Sequence, residues 1–88
     1  MKEDIRIIEV LNKTERVERG NLSANVWTES GNVTAIEAGA IIDETTGNSL
    51  ATFTQWQGSG LNVQFQTPDC DMVAILTDIN TFINDIKE

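Results

Sequence analysis

The chain has 88 residues, 40% of them hydrophobic, with 14 acidic and 6 basic side chains, no histidine, and a formal net charge of −8. A chain of that length buries only about 60–65% of its unfolded surface, so its core is thin. The charge works against nucleic acid and anionic membranes, which are held through Lys and Arg, and the missing histidine removes the usual general base near neutral pH.

Asp4 to Leu11 reads as the first strand, because Ile5, Ile7, Ile8 and Val10 are β-branched. Strict alternation slips at Ile7-Ile8, which calls for two partly buried faces or a bulge; a helix is the competing reading. Asn12-Lys13 turns the chain. Arg16 to Thr28 then returns as one second strand, kinked or bulged at Gly20. Leu22, Ala24 and Val26 mark its apolar face. Ser30-Gly31-Asn32 is a turn signal, and Val33 to Asp43 forms a third strand. Thr45-Thr46-Gly47-Asn48 turns into a fourth strand, Leu50 to Gln57, and Gly58-Ser59-Gly60 turns into a fifth. There Leu61, Val63 and Phe65 alternate with Asn62, Gln64 and Gln66, a strand with one core face and one polar face.

Thr67-Pro68 changes the period. Thr67 can cap a helix whose first position suits Pro68, and Asp69 and Asp71 fall near the positive end of its dipole. Met72, Leu76, Ile79, Phe82 or Ile83, and Ile86 follow at helical spacing, and Lys87 falls in the last turn. The expected fold is therefore α+β, a single domain over 1–88. An antiparallel meander of about five strands fills 1–67, and a C-terminal α-helix over 68–87 packs on one face. One helix covers only part of such a sheet. The uncovered face would carry some of Trp27, Phe53 or Trp56, and a wholly solvated face has no need of two tryptophans.

Charge is unevenly placed. Residues 1–19 hold Lys2, Arg6, Lys13, Arg16 and Arg19 against Glu3, Asp4, Glu9, Glu15 and Glu18, so this stretch is neutral. From Gly20 to Ile86 no basic residue occurs. No signal peptide is expected, because Arg6 and Glu9 break the early apolar run, and no stretch approaches a membrane span. Three glycosylation sequons, at Asn12, Asn21 and Asn32, are read as chance. The expected location is cytoplasmic.

Catalytic material is sparse. Without histidine a Ser–His or Cys–His pair cannot form, and there is no tyrosine to act as an acid. Carboxylate pairs remain, but so short a chain offers little cleft. Cys70 lies where a helix dipole could lower its pKa, yet Asp69 and Asp71 oppose that, so it reads as an ordinary half-buried thiol. Asp43-Glu44 with Thr45 to Asn48, and Asp69-x-Asp71, present oxygens without matching a calcium loop. No metal or cofactor is expected. Gly58-Ser59-Gly60 could offer N–H groups to an anion, but a strand follows it, which fits a hairpin turn. Glu37 interrupts the apolar stretch Thr34 to Ile42 and either faces solvent or needs a partner such as Arg6, Arg16 or Arg19.

The sequence thus favours a non-enzymatic, acidic binding module acting through protein–protein contacts, most simply as a homodimer. Its candidate interaction residues are Trp27, Phe53, Trp56, Glu37, Gly58, Ser59 and Gly60. An acidic inhibitor or immunity-type protein, blocking a basic nucleic-acid-binding surface of a larger enzyme, is the second reading. A sponge for a small ligand such as a nucleotide ranks last.

Overall fold

A computed structural model describes all 88 residues, Met1–Glu88. Six strands run in sequence order through one open antiparallel sheet: β1 (Arg6–Val10), β2 (Thr14–Arg19), β3 (Leu22–Glu29), β4 (Asn32–Ile42), β5 (Ser49–Trp56) and β6 (Asn62–Phe65). Helix α1 (Met72–Lys87) crosses one face, lying closest to β4. The meander and the helix are those expected from sequence. The strand count is six rather than about five, because Arg16 to Thr28 is a hairpin and not one kinked strand. Gly20 adopts φ +62°, a left-handed conformation that glycine enters without a Cβ clash. The chain therefore reverses at Gly20-Asn21 and pairs Arg19 with Leu22.

Of the register shifts in the sheet, two place side chains that matter for the uncovered face. In β1 the pairing passes from Ile7 opposite Val17 to Glu9 opposite Arg16, leaving Ile8 as the extra residue. The slip in alternation is thus a bulge within a strand, and the helical alternative for residues 4–11 does not form. In β4 a second shift lies between Ile36 and Gly39, and Ala38 takes φ +48°. Residues two apart share a face in a regular strand. Here the shift sends Glu37 to the uncovered face and Gly39 to the helix side. Gly39 sits against the ring of Phe53, where a Cβ would come within 2.4 Å of a ring carbon.

The core lies between sheet and helix. Val17, Ala24, Val26, Ile36, Ile41, Ala51 and Phe53 from the strands meet Ile75, Ile79, Phe82, Ile83 and Ile86 from α1. The rings of Phe53 and Phe82 meet edge to face at 6.4 Å between centroids, a geometry that suits their quadrupoles. Met72, expected on the buried stripe, is exposed with Val73 at the helix start. The cap also differs from expectation. Asp71 precedes the first helical residue, and its side chain accepts a hydrogen bond from the Ala74 amide at 3.1 Å. Thr67 instead uses its hydroxyl to accept from Asp69 N, so Pro68 lies in the preceding turn. Asp71→Ala removes the cap and is expected to lower stability by about 1 kcal/mol, read from urea denaturation.

The neutral first segment ties down the C-terminal end of α1. Lys2 N donates to the Asp85 carbonyl at 3.0 Å, Ile5 is buried in the core, and the Met1 ammonium bonds the Glu88 carbonyl. Arg19 donates to Asp85 at 2.8 Å and to Asp4 at 3.2 Å, with its guanidinium carbon 5.6 Å from the centre of the Phe82 ring. The hydrogen bond to Asp85 is the main reason the Arg19 pKa rises above its ordinary value. The sign follows directly: a raised folded-state pKa contributes stability that persists below the ordinary arginine range and is lost only in strong alkali. Part of the acidic charge is thus answered by the few bases the chain has.

Candidate functional site

The sheet face away from α1 holds a cross-strand row at the end where β1 turns into β2. Thr14 on β2 pairs with Trp27 on β3, Trp27 pairs with Ala35 on β4, and Ala35 pairs with Trp56 on β5. Directly paired residues point to the same face. Leu11 continues the row, its amide donating to the Thr14 carbonyl at 2.8 Å across the Asn12-Lys13 turn. One hollow is lined in part by Leu11, Thr14 and Trp27, and a second by Trp27, Thr34, Ala35, Trp56 and Gln57.

The row alternates large and small: Leu11, Thr14, Trp27, Ala35, Trp56. Thr14 and Ala35 are 8% and 6% exposed although no helix covers them; their larger neighbours shield them. Trp56 is 55% exposed. The two indoles are rooted two strands apart, about 9–10 Å, with Ala35 as the floor between them. The result is a ridge with hollows, apolar at the top and polar around it.

Glu37 has found a partner, but not an arginine. The Trp27 indole Nε1–H donates to Glu37 Oε2 at 2.9 Å, which fixes the ring and occupies one carboxylate oxygen. Arg16 lies in the next row, donating to Asn25 Oδ1 and Ser23 Oγ, each at 2.9 Å, and to the Ala38 carbonyl at 3.3 Å. The bulge at Ala38 therefore serves both groups: it places Glu37 on the indole and turns a carbonyl toward Arg16. Glu37 fixes the Trp27 ring, while Arg16, Ser23 and Asn25 form a separate polar cluster in the next row.

The structure thus brings Trp27, Trp56 and Glu37 together. Gly58 and Ser59 stand beside Trp56 and share a hollow with it; Gly60 follows in the same turn. Ser59 N donates to the Trp56 carbonyl at 3.0 Å, so the turn engages that amide internally. Phe53 is the exception. It is 2% exposed, on the helix side against Gly39 and Phe82, because the regular alternation of β5 puts it on the same face as the buried Ala51. Leu11 and Thr14 belong to the row, but neither is aromatic or charged and nothing in the sequence singles them out.

Other candidates resolve into local structure. Asp43 Oδ1 accepts from the Thr45 and Thr46 amides, a side-chain turn that engages its carboxylate. Cys70 is half-buried, with its Sγ 3.2 Å from the Thr67 carbonyl. No group of three or more Cys, Asp or Glu side chains gathers closely enough to hold a metal ion. No helix is long and apolar enough to cross a membrane. Comparison with protein-family models, curated proteins and solved structures finds no match.

Proposed function

We propose that the protein is a non-catalytic binding module that acts through protein–protein contacts and works as a homodimer. The observation that carries this reading is the Leu11–Thr14–Trp27–Ala35–Trp56 row on the uncovered sheet face. Large aromatic anchors separated by hollows are the features that concentrate binding energy in protein interfaces. Tryptophan is favoured there because it combines a large apolar area with a polar edge. The edge of Trp27 is already bonded to Glu37, so the ring meets a partner without an unsatisfied donor and in a fixed orientation. Less ordering then remains for association to oppose.

Trp27→Ser with Trp56→Ser tests the reading. Both rings stand on the uncovered face, outside the buried core, so the double variant is expected to fold. Used as bait in extract from the cell that makes it, the wild type is expected to retain a protein that the double variant loses by at least about tenfold. Equal retention by both overturns the reading.

A second reading, an acidic inhibitor of a basic enzyme surface, is supported by the charge layout. Arg6 is paired with Glu18, and Arg19 with Asp4 and Asp85, while no base occurs between Gly20 and Ile86. Acidic side chains on the outer surface thus have few internal counter-charges and can steer a basic partner. The same capture separates the two. Retention through the tryptophan row resists added salt, whereas an electrostatic clamp releases its partner as ionic strength rises.

A further inference from the structure

We propose that β1 is the seam of the homodimer: two copies join β1 to β1 in antiparallel fashion and extend the six-stranded sheet across both. This rests on the homodimeric part of the reading above and adds the surface and register that form it.

β1 is an edge strand, bonded to β2 on one side only. Its outer backbone groups are therefore open to another strand, which makes such an edge a template for pairing. All five of its residues are exposed. Ile7, Ile8 and Val10 are 51%, 48% and 76% exposed, because α1 lies over β4 and leaves β1 uncovered. The opposite edge, β6, differs. It has four residues, and its exposed side chains are Asn62 and Gln64, while Val63 and Phe65 are half-buried against the core.

Charge identifies the occupant as a second copy. A chain with net charge −8 repels itself over most of its surface, but residues 1–19 balance five bases against five acids. The bulge at Ile8 makes that balance self-complementary. Arg6 lies opposite Glu18 and Glu9 opposite Arg16. Glu18 and Arg16 flank the fully buried Val17 on β2, so Arg6 and Glu9 both point to the uncovered face. In the two-fold register that sets Arg6 against the partner's Glu9, each Glu9 also meets an Arg6. Ile7 and Ile8 of both copies then form the centre of the seam. A continuous antiparallel sheet keeps both uncovered faces on the same side. Both tryptophan rows then face one direction, and a partner with two contact points gains through effective concentration.

The test is mass by light scattering or native mass spectrometry at tens of micromolar and low ionic strength, with thermal melts confirming that each variant folds. The wild type is expected at twice the 9.7 kDa chain mass. Arg6→Glu sets acid against acid across the seam and Glu9→Arg sets base against base. Each alone is expected to weaken dimerisation by about tenfold or more. Mixing them restores a dimer, as a heterodimer, because one copy then offers two acids and the other two bases. Ile8→Lys, at the unpaired bulge position, provides an independent disruption if a charge variant fails to fold. A monomeric wild type overturns the seam and the homodimeric reading together. A dimeric wild type with undiminished dimers for these variants, or no gain on mixing, overturns the seam alone.

Discussion

Replacing Gly39 by alanine is expected to lower the stability of the fold by about 2–3 kcal/mol, the upper range for overpacking a core. The backbone of Gly39 is not in a left-handed conformation, so the reason is space alone. An added Cβ meets three ring carbons of Phe53 at 2.4, 2.5 and 2.6 Å. Relief requires the ring to move, and the ring is held edge-on against Phe82. The strain therefore passes into the sheet–helix contact. Urea unfolding is the measurement, with a lower midpoint and an unchanged slope expected. Because Gly39 and Phe53 touch, Gly39→Ala and Phe53→Leu should not add in the double variant. A Gly39→Ala protein as stable as the wild type would contradict this packing.

Phe82→Ala is expected to cost more, about 3–5 kcal/mol. Phe82 has no exposed surface and joins three parts of the molecule: α1, the Phe53 ring on β5, and the Arg19 guanidinium over its face. Truncation leaves a cavity between helix and sheet and removes the ring that Arg19 covers. A domain of this length has a total stability of about 4–13 kcal/mol at the usual ~0.05–0.15 kcal/mol per residue. The variant should therefore lose a large share of its stability and unfold at a clearly lower temperature than the wild type, as read by thermal melting. Phe82→Leu, which keeps most of the volume, should recover much of the loss. Equal losses for Ala and Leu would point to the arginine contact rather than the cavity.

Much of the architecture was legible in the sequence because periodicity reports burial. The alternation of Leu61, Val63 and Phe65 gave β6, and the 3.6-residue spacing of Ile79, Phe82 or Ile83, and Ile86 gave α1. What remained hidden depended on register. Thr14 and Trp27 are equidistant from Gly20-Asn21 and so face each other only if that pair is a turn. Read as a kink, Gly20 concealed both a strand and the row to which Leu11 and Thr14 belong. The face that Phe53 takes is likewise a matter of register. Trp56 and Phe53 lie three apart on one regular strand and so on opposite faces; Phe53 shares the helix side with Ala51, and the β4 shift at Ala38 decides that Gly39 is the residue opposite it. A single alanine in a left-handed conformation carries no sequence signal, since glycine, asparagine or aspartate is the usual occupant.

The partner of Glu37 was hidden by the same uncertainty. Charge alone leaves Glu37 either facing solvent or paired with an arginine. The hydrogen bond to Trp27 depends on the pairing of Glu37 with Asn25 and of Trp27 with Ala35, which places indole and carboxylate one step apart on one face. The placement of charge, by contrast, was fully legible. Arg19 and Lys2 hold the C-terminal end of the helix, Arg16 ties β2 to Ser23, Asn25 and the Ala38 carbonyl, and Arg6 stands on the free edge.

Trp27 and Trp56 are the only tryptophans in the chain, and both belong to the row, so a fluorotryptophan label reports on the uncovered face and nowhere else. Fluorine NMR of the labelled protein, before and after adding the protein retained in the capture experiment, tests the central claim most directly. Both resonances are expected to shift or broaden together as the complex forms. A complex confirmed by its mass, with both tryptophan signals unchanged, would contradict the claim that this face makes the contact.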